Sequence, residues 1–409
     1  MNAEGKTLDN AVVTETLILL ESGSMNEEVR GILSEKKKIK DLFLVVIRSI
    51  NIDENRRLCS SLIQFVSNLC YGTGKFRRML LTAEASPLEF IKTLTSILES
   101  VMKPNIFNEN FNEKEEETKE QEAARLDNET QRVLLKQAML SFVANLCAEA
   151  QLRVHISADM GGLLSKVYEV FVADTAMRPF DWVESITKEL AVFVNASVET
   201  SAQTMLASKG VVTMCESLLS TVKPEKEKCE LIVRILNLLG KVGRIEKGIQ
   251  DIIASKDILF KVLVYFNMDV PEFSKNSLII FHLACRIPDF ATICKDKHKF
   301  NLKVFDTYVT KSNSMFKEDI SKNDWDHFST VCISVSAFIT VFPERLVDFQ
   351  EMIAPLINVI GNKTAAVRKN GAVLLAKLAA NEDNGKIYRA HHGPEVLMSL
   401  REQLVPQKK

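Results

Sequence analysis

Two hexamers, FVSNLC at residues 65–70 and FVANLC at 142–147, differ at one position. Each sets a single carboxamide among apolar neighbours. Asparagine offers N–H donors and a carbonyl acceptor, so its chemistry is hydrogen bonding rather than proton transfer or nucleophilic attack. The residue returns in ELAVFVNAS (189–197) and LIVRILNLL (231–239), giving a series Asn68, Asn145, Asn195 and Asn237. Weaker copies follow in IIFHLAC (279–285), SVSAFITV (334–341) and LLAKLAA (374–380). There His282 and Lys377 fall near the Asn position, and the sixth copy has no clear register. A buried Asn must be paired somehow, so one reading is that each caps or bonds a neighbouring loop.

Residues able to do covalent or metal chemistry are not arranged for it. None of the six histidines (His155, His282, His298, His327, His391, His392) has a second His four positions on, as a helical metal site wants. The adjacent pair in RAHHGPE suits a helix end, where a His is favourable against the dipole. The eight cysteines form no CxxC, and most lie inside apolar helical patterns, where Cys acts as a small hydrophobe. There is no GxxxxGK[ST], no glycine-rich dinucleotide fingerprint and no GxSxG elbow. The expectation is therefore no cofactor, no metal and no enzymatic activity.

The elements that position the Asn series also recur. After Asn145 comes AQLRVHISADMGGLLSKVYEVF, after Asn195 SAQTMLASKGVVTMCESLL, and after Asn237 KGIQDIIASKDILFKVLVYF. Each is a short helical stretch, a turn signal, then an apolar-periodic segment. The turn signals are Gly161-Gly162, Gly210, Asp257, Gly393 and Ser86-Pro87. Leu163, Leu164, Val167, Val170 and Phe171 carry the three-and-four spacing of an amphipathic helix. The unit is short helix, break, helix, loop, long helix. Its period of about forty residues is that of HEAT and armadillo arrays. No such unit buries its apolar side alone, so stacked neighbours must form a continuous core. Phe65, Val66 and Leu69 then pack between repeats while Asn68 faces out, and Trp182 pins one repeat against the next. The expected fold is all-α: a right-handed α-solenoid running through 1–409.

Composition agrees. Only 15 glycines and 10 prolines occur in 409 residues, too few for a turn-rich sheet protein. A formal charge of −1 lacks the basic excess of a nucleic-acid binder. The start MNAEGKTLDN is not a secretory signal, and the strongest apolar run, LFLVVIRSI (42–50), is broken by Arg48, so no membrane insertion is expected. Unpaired cysteines without a signal predict a cytoplasmic protein. Residues 104–130 carry nine acids against three bases, which predicts a solvated, disordered insert before a long helix starting near Gln131. That insert is either an acidic arm for a basic partner or groove, or a passive insertion. The stretch 310–328 reads as a polar inter-repeat loop. Basic groups cluster in SEKKKIK (34–40), KFRR (75–78) and VRKNG (367–371). Lys75, Arg77 and Arg78 follow an Asn-bearing helix, so they are candidates for its groove rim, attracting an acidic partner.

Over roughly 40–400 the chain resembles the armadillo-repeat superfamily, through the Asn-Leu dipeptide on the third helix and the Gly that follows it. The resemblance implies a concave groove in which Asn68, Asn145, Asn195 and Asn237 bond the backbone of an extended protein partner. It implies a non-enzymatic scaffold or adaptor. The paired Trp and Asn array of nuclear-import adaptors is absent. NLCY (68–71) is similar to small-GTPase dissociation stimulators, which implies exchange stimulation. The closing GAVLLAKLAANEDNGKIYRAHHGPEVLMSL is similar to the final armadillo repeat of tetratricopeptide co-chaperones for myosin or axonemal dynein, which implies a motor-protein partner met with chaperones.

Overall fold

A computed structural model describes residues 10–49, 55–71, 74–81, 87–102, 118–179, 181–300, 302–317, 325–360 and 365–404. Every regular element among these is helical. The chain divides into two compact units, Met1–Lys209 with Glu225–Arg234, and Gly210–Pro224 with Ile235–Lys409. Each is a stack of helical triplets of the expected kind.

The first unit opens with α1 (Asn10–Ser24), α2 (Glu27–Leu33) and α3 (Lys37–Ser49). Then come α4 (Arg56–Cys70), α5 (Gly74–Leu81), α6 (Pro87–Met102), α7 (Lys119–Leu146), α8 (Ala150–Ser157), α9 (Leu163–Met177), α10 (Trp182–Ala196) and α11 (Thr200–Ser208). The long helices α4, α7 and α10 lie side by side, with α1 against α4. The hexamers fall on α4 and α7, and their apolar positions Phe65, Val66, Leu69, Phe142, Val143 and Leu146 are all buried. Phe142 meets Phe43 edge-on at 5.6 Å, and Phe171 meets Phe193 at 5.4 Å, so the recurring Phe joins successive triplets. Gly162 takes φ 75° ahead of α9 and Gly210 takes φ 82° ahead of the helix that starts at Val211, which is the left-handed turn a side chain resists.

Residues 104–117 of the acidic stretch lie outside the described residues. The remainder is helix: α7 begins at Lys119, not near Gln131. Thr118 and Gln121 form a reciprocal capping box, and Glu120 and Glu122 sit at the positive end of the dipole. These local signals start a helix where composition alone predicts disorder.

The second unit holds α12 (Val211–Thr221), most of α13 (Cys229–Val242), α14 (Glu246–Ala254), α15 (Lys256–Asn267) and α16 (Pro271–Cys285). A short turn, α17 (Phe290–Thr292), runs into a π-helix at Ile293–Lys297. The rest is α18 (Asp306–Lys317), α19 (Trp325–Val341), a 3₁₀ stretch Pro343–Met352, α20 (Ile353–Ile360), α21 (Ala365–Leu378), α22 (Glu382–Ala390) and α23 (Gly393–Leu404). Of the expected loop 310–328, residues 310–317 and 325–328 are helical and 318–324 lie outside the described residues. The break before α15 falls at Ser255, whose hydroxyl accepts from the Ile258 N–H, rather than at Asp257. His391 ends α22, and His392 takes the left-handed turn (φ 57°) before Gly393. An aromatic cluster forms the core: Tyr308 lies 4.8 Å from Phe281 and 5.1 Å from Phe338, and Phe305 lies 5.0 Å from Phe342.

The first unit's helices bury a trio of ionisable side chains. Lys136 on α7 pairs with Asp174 on α9 at 2.5 Å. Glu189 on α10 is wholly buried, and as a carboxylate neither of its oxygens finds a donor. Burial first, and Asp174 second, push its pKa well above the usual carboxylate range, so it keeps its proton and donates to Asp174. A carboxyl whose folded pKa is raised favours the folded state at low pH, and that stability is lost as pH rises above the unfolded value of about 4.3. Glu189→Gln therefore unfolds at a higher temperature than the parent at pH 8, by roughly 3 °C or more, and the gap closes toward pH 4.5. Thermal melts across that range check it; a constant gap contradicts the assignment.

Candidate functional site: an amide-lined cleft in the first unit

Asn145 and Asn195 hold the same place on consecutive long helices and make the same bond. Asn145 Nδ2 donates to the Ser67 carbonyl and Oγ, both at 3.0 Å. Asn195 Nδ2 donates to the Ala144 carbonyl at 2.9 Å. Ser67 and Ala144 are the residues just before Asn68 and Asn145, so the bond recurs with one offset. Asn68, at the head of the series, donates to Ser24 Oγ at 3.0 Å and accepts from Gln64 Nε2 at 3.0 Å.

A carbonyl oxygen can only accept, which fixes the flip of Asn145 and Asn195. Their Oδ1 atoms take no hydrogen bond from a described residue. These half-buried side chains line a cleft of about 790 Å³ with Asn68, over a floor of small residues that includes Ser141, Ala144 and Ala191. Met25, Glu27, Arg30 and Tyr71 close one end, and Glu230 and Arg234, at the start of α13, line it as well. Lys188 and Arg234 are paired along their own helices, with Glu184 and Glu230, each at 3.1 Å. A smaller recess of about 400 Å³, which includes Arg57 and Gln137, shares Gln64 and Lys188 with the cleft. Asn237 is half-buried in the second unit.

In the basic group after α4, two side chains make contacts of their own. Arg77 donates to the Cys70 carbonyl, as Arg153 does to Cys147 (3.2 Å) and Gln203 to Ser197 (2.9 Å). Those carbonyls lie at or just past helix ends, where intrahelical donors run out. Exposed Lys75 pairs with Glu35 at 2.7 Å, and Arg78 is exposed on α5. None of Lys75, Arg77 and Arg78 lines the cleft. Trp182 is half-buried at the start of α10, with the Arg178 guanidinium 5.2 Å from its ring centre.

The second unit repeats the offset once. Lys377 Nζ donates to the Ser336 carbonyl at 2.9 Å and to Thr340 Oγ1 at 2.7 Å. Ser336 therefore precedes the Asn-equivalent position, which places the sixth copy: Ala337 stands where Asn does elsewhere. His282 is largely buried, and burial, with Arg286 second, lowers its pKa.

No cluster of three or more metal-ligating side chains occurs among the described residues. Seven of the eight thiols are buried; burial pushes Cys59 up to about 11 and Cys147 and Cys215 up to about 12, so they stay protonated. Among the described residues no single helix is long and apolar enough to cross a membrane.

No family model matches this chain, and no curated protein matches it. Among solved structures, a designed armadillo repeat protein is similar to it over 70% of this chain and 99% of its own, at 12% identity and a TM-score of 0.47.

The ladder predicts an order of effects. Asn195→Ala removes one bond and costs about 1 kcal/mol. Asn195→Asp sets a carboxylate oxygen against the Ala144 carbonyl and costs more, roughly 2–3 kcal/mol. Urea unfolding of both variants checks the order; Asp milder than Ala contradicts the ladder.

Proposed function

We propose that the first unit is a protein-interaction scaffold that binds an extended stretch of another polypeptide along the amide-lined cleft. One observation carries the reading. Asn145 and Asn195 line the cleft with the amide nitrogen of each held by the neighbouring helix and the Oδ1 acceptor bonded by no described residue. An extended segment exposes backbone N–H groups that regular structure would consume, and these match such acceptors. The small floor residues leave room for a backbone to approach.

The test is selection of random dodecamer peptides displayed on phage against the full chain, followed by Ala191→Tyr. Tyr fills the floor without touching the ladder. It lowers the affinity of selected peptides about tenfold or more, roughly 1.4 kcal/mol, while the melting temperature is unchanged. Peptides that bind Ala191→Tyr as well as the parent exclude the cleft.

A second reading has one observation of its own. NLCY, which resembles the small-GTPase stimulators, puts both Asn68 and Tyr71 on the cleft wall. On that reading the partner is a folded small GTPase and the output is faster nucleotide release. Unchanged release of a fluorescent guanine nucleotide from a GTPase panel ends it.

A further inference from the structure

The peptide-binding reading leaves a physical problem. A row of like acceptors cannot tell one register of an extended chain from the next, since a ligand shifted by one triplet meets the same groups. Something unrepeated must set position.

Arg30 is unrepeated. It comes from α2, not from a long repeat helix, and is half-buried at the end of the cleft beside Asn68. Its guanidinium carbon lies over the Tyr71 ring, 5.5 Å from the ring centre, a cation–π distance, and Tyr71 itself is 62% exposed. A ring contact of this kind uses the face of the cation and consumes none of its N–H donors. Arg30 makes no ion pair among the described residues, whereas Lys188 and Arg234 are each paired within one helix turn. Glu27, one turn before Arg30, lines the same end but is not paired with it. The N-cap side chain of Asn26, which accepts from Glu28 N (3.0 Å) and Val29 N (3.2 Å), anchors the start of this helix.

Building on the proposed cleft function, we propose that Arg30 and Tyr71 form an anchor for one carboxylate side chain, Asp or Glu, of the bound polypeptide. The planar fork of Arg fits a carboxylate through two parallel N–H bonds, and the Tyr ring shields one face of the pair from water. Charge complementarity selects this occupant: the other cleft cations are already paired, so an acidic side chain gains most at Arg30. The acid then fixes the register, and the backbone beyond it runs over Asn145 and Asn195.

The experiment uses the same dodecamer library on the full chain in three forms, parent, Arg30→Glu and Tyr71→Ala, with sequencing of selected pools. The parent enriches Asp or Glu at one fixed position. Arg30→Glu loses that enrichment and favours Lys or Arg there. A synthetic acidic winner binds Arg30→Glu about ten- to a hundredfold more weakly than the parent, and binds Tyr71→Ala several-fold more weakly. Circular dichroism of both variants matches the parent, as expected for changes at the cleft surface and outside the core. Enriched peptides that lack a fixed acid, or whose affinity ignores Arg30→Glu while Ala191→Tyr abolishes it, overturn the anchor and leave the cleft standing. A library that yields no cleft-dependent peptide overturns both.

Discussion

The constraint on which the first unit depends is the bond from each Asn amide to the carbonyl just before its counterpart on the neighbouring long helix. Apolar faces hold triplets together, but hydrophobic attraction has no direction and permits sliding. An amide-to-carbonyl bond is directional and lapses within a fraction of an ångström or a few tens of degrees. Repeated at one offset by Asn145 and Asn195, it sets how far each long helix is displaced along the last. The acceptor position holds Ser67 and Ala144, small residues that let the amide reach the backbone. In the second unit that position holds Leu236, facing His282, and Phe281, facing Ala337, which has no side-chain donor; no such bond forms at either among the described residues. It returns at Ser336, again small, reached by the longer Lys377.

Where the ladder lapses, packing takes over. Phe281, Phe305, Tyr308, Phe338 and Phe342 interlock at ring-centre separations of 4.8 to 5.9 Å, and Tyr308 shares a hydrogen bond with Ser334 at 2.9 Å. Aromatic pairs have preferred tilts, so they restore some of the directionality that bare aliphatic contact lacks. Two chemistries thus serve one end: polar rungs with small acceptor positions in the first unit, and ring packing with a single late rung in the second.

The fold was legible because its signals are periodic. Apolar spacing, left-handed glycines such as Gly162 and a recurring Asn repeat often enough to outweigh local noise. The site was legible only in part. Asn68, Asn145 and Asn195 reach one cleft because one sequence pattern put them at one helical position. The role of KFRR was hidden: Arg77 follows α4 closely in sequence, but the turn into α5 aims it back at the Cys70 carbonyl. A pairing of Arg153 with Cys147 and Gln203 with Ser197 at similar spacing is the signal that would have revealed it. The sixth copy could not be aligned because its marker residue is Ala337; only the acceptor, Ser336, identifies it. Arg30 left no trace in the repeat at all, since it lies on α2 ahead of the first Asn-bearing long helix.

Stack and cleft share the same side chains. An Asn free to rotate loses rotamer freedom when a ligand binds, which weakens affinity. Asn145 and Asn195 have already lost it, because the inter-helix bond fixes both χ angles before any partner arrives. The structural bond therefore does not compete with binding; it aims the remaining oxygen. This also explains why the donor half faces the protein. A backbone carbonyl in the stack must be met by an N–H, so the inter-helix bond never uses the oxygen of the amide, which stays free to accept. Under the proposed function the cleft's ligands are chains with N–H groups to give, and extended polypeptide is the commonest of these.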